Sequence, residues 1–490
     1  MQPVKRVALG ALLVAAGVAV TVIVRTLSYA PHMPPRADLA TIPAAPPIAA
    51  DVAAGHLGEA IRIRTISHQD PADDDLAAWD ALHAWLEATY PAAHAAMHRE
   101  LVAGRTLLYT WPGSDLRLPP VILMAHQDVV PVEAGSEGRW RHPPFSGELA
   151  DGAVWGRGAV DDKGSLVALF EAIDLLARRG FKPVRTLLVL SGHNEEVQGG
   201  GAKAVALLLA SRHVRAEFVL DEGLVVTSSH PVTHAPVALI GIAEKGYASL
   251  AVTAHASGGH SSMPPDETAV TTLAEAVLAI LRHPGPEHVA GPTAAMLAAL
   301  APDAPLGLRV ALANDWLLGS AVLRTIRATP AGAAMIRTTM APTMLSGSPK
   351  ENVLPQLATA TINYRIEPGD SSAAVLERAQ AAVGKRPVTL AWLSPPIEPS
   401  VVSSTESRGW RLLAALAADA ARGPVTPALV LGGTDSRSLQ PVAADVYRFE
   451  PVTLDPADYD MVHGTNEHLT VANLSQAIRF YARLITAATG

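Results

Sequence analysis

Apolar positions along this chain keep two rhythms. In "DLAAWDALHAWLEATY" Leu76, Trp79, Leu82 and Leu86 recur at helical spacing, and "SLVALFEAIDLLARRG" carries a similar stripe up to Gly180, so both predict helices. Short unbroken apolar runs lie between and beyond them, in "PPVILMAHQD" and "RTLLVLSGHNEE", and read as strands. The alternation predicts an α/β sheet covered by helices on both faces. Near Gly241 the rhythm changes: "ASLAVTAHASGGHSSMPP" reads as a more polar strand and loop, helices follow to about Ala328, and "ATATINYRIEPGDS" alternates as a half-buried strand. The α/β pattern resumes through "GPVTPALVLGGTDSRSL" to a C-terminal helix. The expected organisation is an α/β/α domain in two pieces, 51–242 and 376–490, with an α+β domain inserted at 243–375.

The first thirty residues follow neither rhythm. Lys5 and Arg6 precede Val7–Val24, an uncharged apolar run whose helix would span roughly 27 Å, close to the thickness of a bilayer's hydrocarbon core. Residues 1–30 are therefore expected to be a membrane anchor or a cleaved signal peptide. Arg25 after the run, and Pro31 directly after the small residues Ser28 and Ala30, favour the anchor. With its basic end inside, the rest of the chain would lie outside the cytoplasm, anchored or, after cleavage, secreted or periplasmic. Residues 31–50, rich in Pro and Ala, read as an extended linker.

Composition narrows the chemistry. The net charge of the 490 residues is -8, and no run of Lys or Arg exceeds a pair, which excludes the basic stripe that nucleic acid requires. There are no cysteines, so disulfides, thiolate nucleophiles and cysteine-rich structural zinc sites are all excluded. Any metal must be held by His, Asp or Glu.

In an α/β sheet such groups gather where strands end. Here the strand ends carry His126 and Asp128; Asp161 and Asp162 of "GRGAVDDKGS"; Glu195 and Glu196 of "GHNEEVQGG"; and Asp221 and Glu222 of "LDEG". His463 of "MVHGTNEH" precedes the last helix. Singly each is weak. Together, carboxylates and two imidazoles suit borderline divalent ions such as zinc, and adjacent glutamates allow one to bind metal while its neighbour serves as a base. "GRGAVD" lacks the third glycine of a dinucleotide loop, and "GGGAKA" lacks the Gly-Lys-Ser/Thr of a P-loop.

The ordered set "MAHQDVVPV", "GRGAVDDKGS", "GHNEEVQGG", "LDEG" and "HGTNEH" resembles the dinuclear zinc metallopeptidases that include carboxypeptidase S, aminoacylase, glutamate carboxypeptidase and the N-acyl amino acid hydrolases, above all the carboxypeptidase S branch. The resemblance covers nearly everything after the linker. It implies two zinc ions per chain, with cobalt or manganese as alternatives. His126 would bind one ion, with Asp128 orienting its ring; Asp161 would bridge both; Glu196 and His463 would hold the second; and Asp221 would complete the first, with Glu222 a competitor. Glu195 would be the general base toward a water shared by the ions, and the Asp161–Asp162 peptide would be cis. In the inserted domain the resemblance implies oxyanion stabilisation by His260 of "GGHSSMPP", reaching in from a partner subunit, and substrate contact by Asn352 of "KENVLP". Arg437 of "LGGTDSRSL" would grip a substrate carboxylate, with a surface ion pair as its bland alternative, and Arg365 reads as structural.

The function so implied is hydrolysis of the amide bond next to a C-terminal free amino acid, in a small peptide or an N-acyl amino acid. An aminopeptidase or deacetylase with the same metal site, and a non-catalytic tethered binding protein, are the alternatives. A homodimer through the inserted domain is also implied.

Overall fold

A computed structural model describes residues 2–490, with side chains from Val7 onward, so the side chains of Lys5 and Arg6 lie outside it. Two compact units result. The larger comprises Pro34–Ile242, Ser403–Val430 and Thr434–Gly490, and the smaller comprises the N-terminal residues to Met33, Ala243–Val402 and Leu431–Gly433.

The apolar runs form the centre of the larger unit. Strands Leu187–Ser191, Val121–Met124, Ala216–Thr227 and Ala443–Leu454 are adjacent in that order and parallel, within an eight-stranded sheet among the described residues. Successive side chains on a strand point to opposite faces. Leu187, Val189, Val121 and Leu123 accordingly pack with the helices Ala50–Arg62, Lys163–Arg178, Arg408–Ala421 and Val471–Thr489. Leu188, Leu190, Ile122 and Met124 pack on the opposite side with Gly201–Ser211. Burial on both faces is why these strands read as unbroken apolar runs rather than as alternating ones. The α/β/α layering follows.

The 31–50 segment is extended but is not a free linker: Ile42 is buried, Leu39, Ala45 and Ile48 pack on the core, and Arg483 Nε–H donates to the Pro43 carbonyl at 3.1 Å. Its apolar residues have a core to cover, which composition alone does not reveal.

The smaller unit is an antiparallel sheet in the order Thr339–Ser346, Leu357–Ile366, Gly246–His255, Val388–Trp392. Strand Gly246–His255 alternates buried and half-buried positions, and its buried face packs on helices Ala269–Leu281 and Ser372–Val383. Because that second helix and strand Val388–Trp392 both join this sheet, the inserted unit runs to Val402, past the expected boundary at 375. Arg365 lies in this sheet with its guanidinium 4.8 Å from the Tyr247 ring centre.

Lys245 is buried in this unit, donating to the carbonyls of Ala334 and Arg337 at 2.8 and 2.7 Å. Burial pushes its ammonium down from the usual lysine value to about 8. Below pH 8 both folded and unfolded chains hold that proton and the penalty for burying the charge stands. Between 8 and the unfolded lysine value near 10.4 the unfolded chain alone holds it, so stability rises with pH. Lys245→Met should remove that rise, on the order of 3 kcal/mol at most, as read from denaturant melts between pH 7.5 and 10.

Candidate metal centre

His126 follows the buried strand Val121–Met124, and its surroundings fix its ring. A carbonyl can only accept, so the 3.0 Å contact with the Asp128 carbonyl places a proton on Nδ1 and turns Nε2 toward Asp161, whose Oδ1 is 2.8 Å away. Burial opposes the protonated ring, but hydrogen bonds to Asp128 and Asp161 outweigh it and raise the imidazole well above its ordinary range. Asp128, fully buried, has further partners. Its oxygens accept from Ser67 Oγ–H at 2.7 Å and from the backbone N–H groups of Glu195 and Glu196 at 3.1 Å each. The Asp128 carboxylate therefore orients the turn that presents both glutamates.

Asp161 lies between two imidazoles. Its Oδ1 faces His126, and its Oδ2 is 2.9 Å from His463 Nε2, which is also 3.1 Å from Glu196 Oε2. Hydrogen bonds with Asp161 and Glu196 push the His463 ring up to about 10. Burial would raise Asp161, but its two histidine hydrogen bonds hold it below the usual carboxylate range. The Asp161–Asp162 peptide is cis, as the family resemblance implies.

Neighbouring carboxyls behave oppositely. Glu195, Glu196, Glu222 and Asp162 are all pushed up, first by burial and also by Asp161; Asp435 and Glu196 add to the push on Glu195, Asp162 and Glu195 to that on Glu222, and Asp221 to that on Asp162. A buried group of acids in this state favours a cation among them. Ligand atoms of His126, Asp161 and Glu196 lie within 4.8 Å of one another, as do those of His126, Glu195 and Glu222. Glu196 Oε1 is buried without a hydrogen-bond partner among the described residues. Oxygen and imidazole donors, an unsatisfied buried carboxylate oxygen, and Asp161 facing two histidines fit a divalent metal site.

Of the "LDEG" pair, Glu222 is the residue that reaches this group. Its Oε1 is 3.6 Å from His126 Nε2, whereas Asp221 Oδ2 accepts the Ser436 backbone N–H at 3.1 Å. Of the expected Asp221 and its competitor Glu222, it is Glu222 whose carboxylate faces His126. Adjacent strand residues point to opposite faces, and the strand's phase cannot be read from two acids side by side.

Two residues absent from the expected set hold the site together. Glu467 is buried, and its oxygens accept from Arg157 at 2.7 Å and from the backbone N–H groups of Gly158, Val160 and Asp161 at 2.9–3.1 Å. Arg157 also donates to the carbonyls of His463 and Gly464, at 3.0 and 2.8 Å. This pair fixes the loop carrying Asp161 against the loop carrying His463. Gly158 adopts φ +85° there, where a Cβ would lie 2.6 Å from Val129. "HGTNEH" contains Glu467, but nothing in the string distinguishes it from a solvated acid. Glu467→Ala should cost about 3–5 kcal/mol of stability by leaving Arg157 buried and unpaired. It should also weaken metal affinity about 10–100-fold, checked by melts and by metal titration.

In the smaller unit, His260 of Gly259–His260 pairs with Val353 in a two-stranded ribbon, and the Ser261 N–H donates to the Asn352 carbonyl at 3.2 Å, so His260 and Asn352 are neighbours. His260 Nδ1 accepts from the Ser262 N–H at 3.1 Å, which leaves the neutral ring's proton on Nε2. Arg437, half-buried, follows Asp435 and Ser436 on a 3-10 turn of the larger unit.

The profile of peptidase family M20/M25/M40 matches residues 122–487. Probable carboxypeptidase S-like 2 of Dictyostelium discoideum is 34% identical over 439 residues, 88% of this chain and 84% of the relative. N-fatty-acyl-amino acid synthase/hydrolase PM20D1 of Homo sapiens is 37% identical over 398 residues, 79% of this chain and 78% of the relative. Among solved structures, the M20 family metallo-carboxypeptidase Sso-CP2 from Sulfolobus solfataricus superposes with a TM-score of 0.66 at 17% identity, over 89% of this chain and 98% of that one.

Proposed function

Because the chain belongs to peptidase family M20/M25/M40 and is an enzyme of its carboxypeptidase S-like branch, we propose that it hydrolyses the amide bond next to a C-terminal free amino acid, in a small peptide or an N-acyl amino acid. The observation that carries this reading is Asp161, with one oxygen toward each of two histidines and Glu195 beside them. His126 and Glu222 would hold one divalent ion, Glu196 and His463 the other, and Asp161 would bridge them; zinc suits these donors best. Bound there, the ions would polarise the scissile carbonyl and lower the pKa of the attacking water.

The chain's own residues do the rest. Glu195 accepts the water's proton and returns it to the leaving amine. His260 donates from Nε2 to the developing oxyanion, in a dimer formed through the smaller unit. Arg437 holds the substrate carboxylate with paired N–H donors, and Asn352 contacts the substrate. The N-terminal helix, apolar from Val7 to Leu27, anchors the chain with the catalytic unit outside the cytoplasm.

Arg437→Ala tests the substrate class. It should lower kcat/KM about 100-fold on N-acyl amino acids, while leaving turnover of their C-terminally amidated analogues unchanged. Equal losses on both, or none on either, would favour an aminopeptidase or deacetylase.

A further inference from the structure

The inserted unit carries two helices with almost nothing of their own to sit on. Leu306–Ala313 and Asp315–Ile326 are eight and twelve residues long, and among the described residues each buries one of its own, Ala313 and Val322. Helices this short are marginal in water unless an apolar face is covered. Yet Leu306, Trp316 and Leu317 stand 68%, 52% and 47% exposed. Such faces need a partner.

The contact at the corner between these helices says what that partner is. Asn314 is buried, and its amide donates to the Val22 carbonyl at 3.4 Å and to Thr26 Oγ1 at 3.1 Å, both on the N-terminal helix. In return Arg25 Nε–H donates to the Ala313 carbonyl at 2.9 Å, capping the end of the first short helix, and Arg25 lies 3.7 Å from Asp315. The N-terminal helix from Val7 to Leu27 is otherwise uncovered, with a mean hydropathy of 2.7. Its last turn is thus bonded to the corner. If the apolar span crosses a bilayer, that turn emerges at the headgroup layer, and the corner must lie at the same depth.

We infer that helices Leu306–Ala313 and Asp315–Ile326 form an interfacial seat, lying on the bilayer that the N-terminal helix crosses, with Leu306, Trp316 and Leu317 in contact with lipid. Trp316 has the ring preferred at that depth, and Arg309 and Arg324 supply cations for phosphate headgroups. The smaller unit is then fixed at the membrane surface by its own helices. A retained N-terminal helix is part of the inference, since its removal would strip the buried Asn314 amide of two acceptors.

The chain has no cysteine, so Leu306→Cys, Leu317→Cys, Val14→Cys and Lys385→Cys each create a single labelling site for an environment-sensitive dye. The full-length protein would be reconstituted into phosphatidylcholine–phosphatidylglycerol vesicles with or without lipid spin-labelled near the headgroup. Blue-shifted dyes at 306 and 317 that lose about half their emission to the shallow quencher, with an aqueous dye at Lys385, are expected. Aqueous emission at 306 and 317 while the dye at 14 reports an inserted helix would overturn the seat. So would self-quenching at 306 or 317 that disappears on dilution with unlabelled chain, which would assign the face to a second copy, or release of the expressed protein from membranes as a chain lacking the first 27 residues. Catalysis is not measured here, so the seat and the hydrolase reading fail independently.

Discussion

Glu195→Gln is expected to lower kcat by on the order of 10³-fold with KM and metal content nearly unchanged. Glutamine keeps the shape and accepts the same space beside Glu196, but it cannot take up a proton. The site is built to make Glu195 a good acceptor. It is half-buried, and burial, then Asp435 and Glu196, push its carboxyl well above the usual range. Its position comes from the Asp128 carboxylate, which accepts the Glu195 and Glu196 backbone N–H groups and not their side chains, so the substitution leaves that anchoring intact. Wild-type turnover by the variant, measured at equal metal loading, would remove Glu195 from the reaction.

The second large effect is expected at Asp161. Asp161→Ala should reduce binding from two divalent ions per chain to one or none and bring hydrolysis below detection, because both histidines lose the carboxylate that faces them. A thermal readout separates this from misfolding. Ions that bind the folded chain stabilise it by about 2.7 kcal/mol at a free concentration a hundred times Kd, so wild type should melt later as metal is added. The variant should show a smaller rise or none. Its melting without added metal should be earlier than that of wild type, since buried His126 loses the carboxylate paired with it, so the comparison rests on the metal-dependent rise and not on the starting temperature. Two ions retained at wild-type affinity would rule out the bridging role.

How much of this was legible beforehand depends on what each feature is made of. Val121–Met124 and Leu187–Ser191 announce themselves because strands buried on both faces must be apolar throughout, and the sheet then brings His126, Glu195 and Glu196 to neighbouring strand ends. Asp161 and His463, 302 residues apart in sequence, meet through loops that no periodicity describes; the family-like motifs pointed to them, and Arg157 and Glu467 hold them in place. Those two were missed because a buried ion pair is indistinguishable in sequence from two surface charges. Which of Asp221 and Glu222 faces His126 is not legible in the string "LDEG", because strand phase is a tertiary fact. The segment from Pro34 reads as a spacer by composition, and what makes it structural is the core surface beneath Ile42. The end of the inserted unit was placed early because helix Ser372–Val383 has the same amphipathic stripe whichever sheet it covers.

The measurement that bears most directly on the central claim is release of free amino acid from a panel of N-acyl amino acids and dipeptides by the full-length protein. It would be followed before chelation, after chelation, and after zinc is restored, with bound metal counted at each stage. Release that stops when the ions are removed and returns with two zinc ions per chain is the predicted result. Two bound zinc ions with no release from any member of the panel would contradict it, and the site would then be one that binds and does not cut.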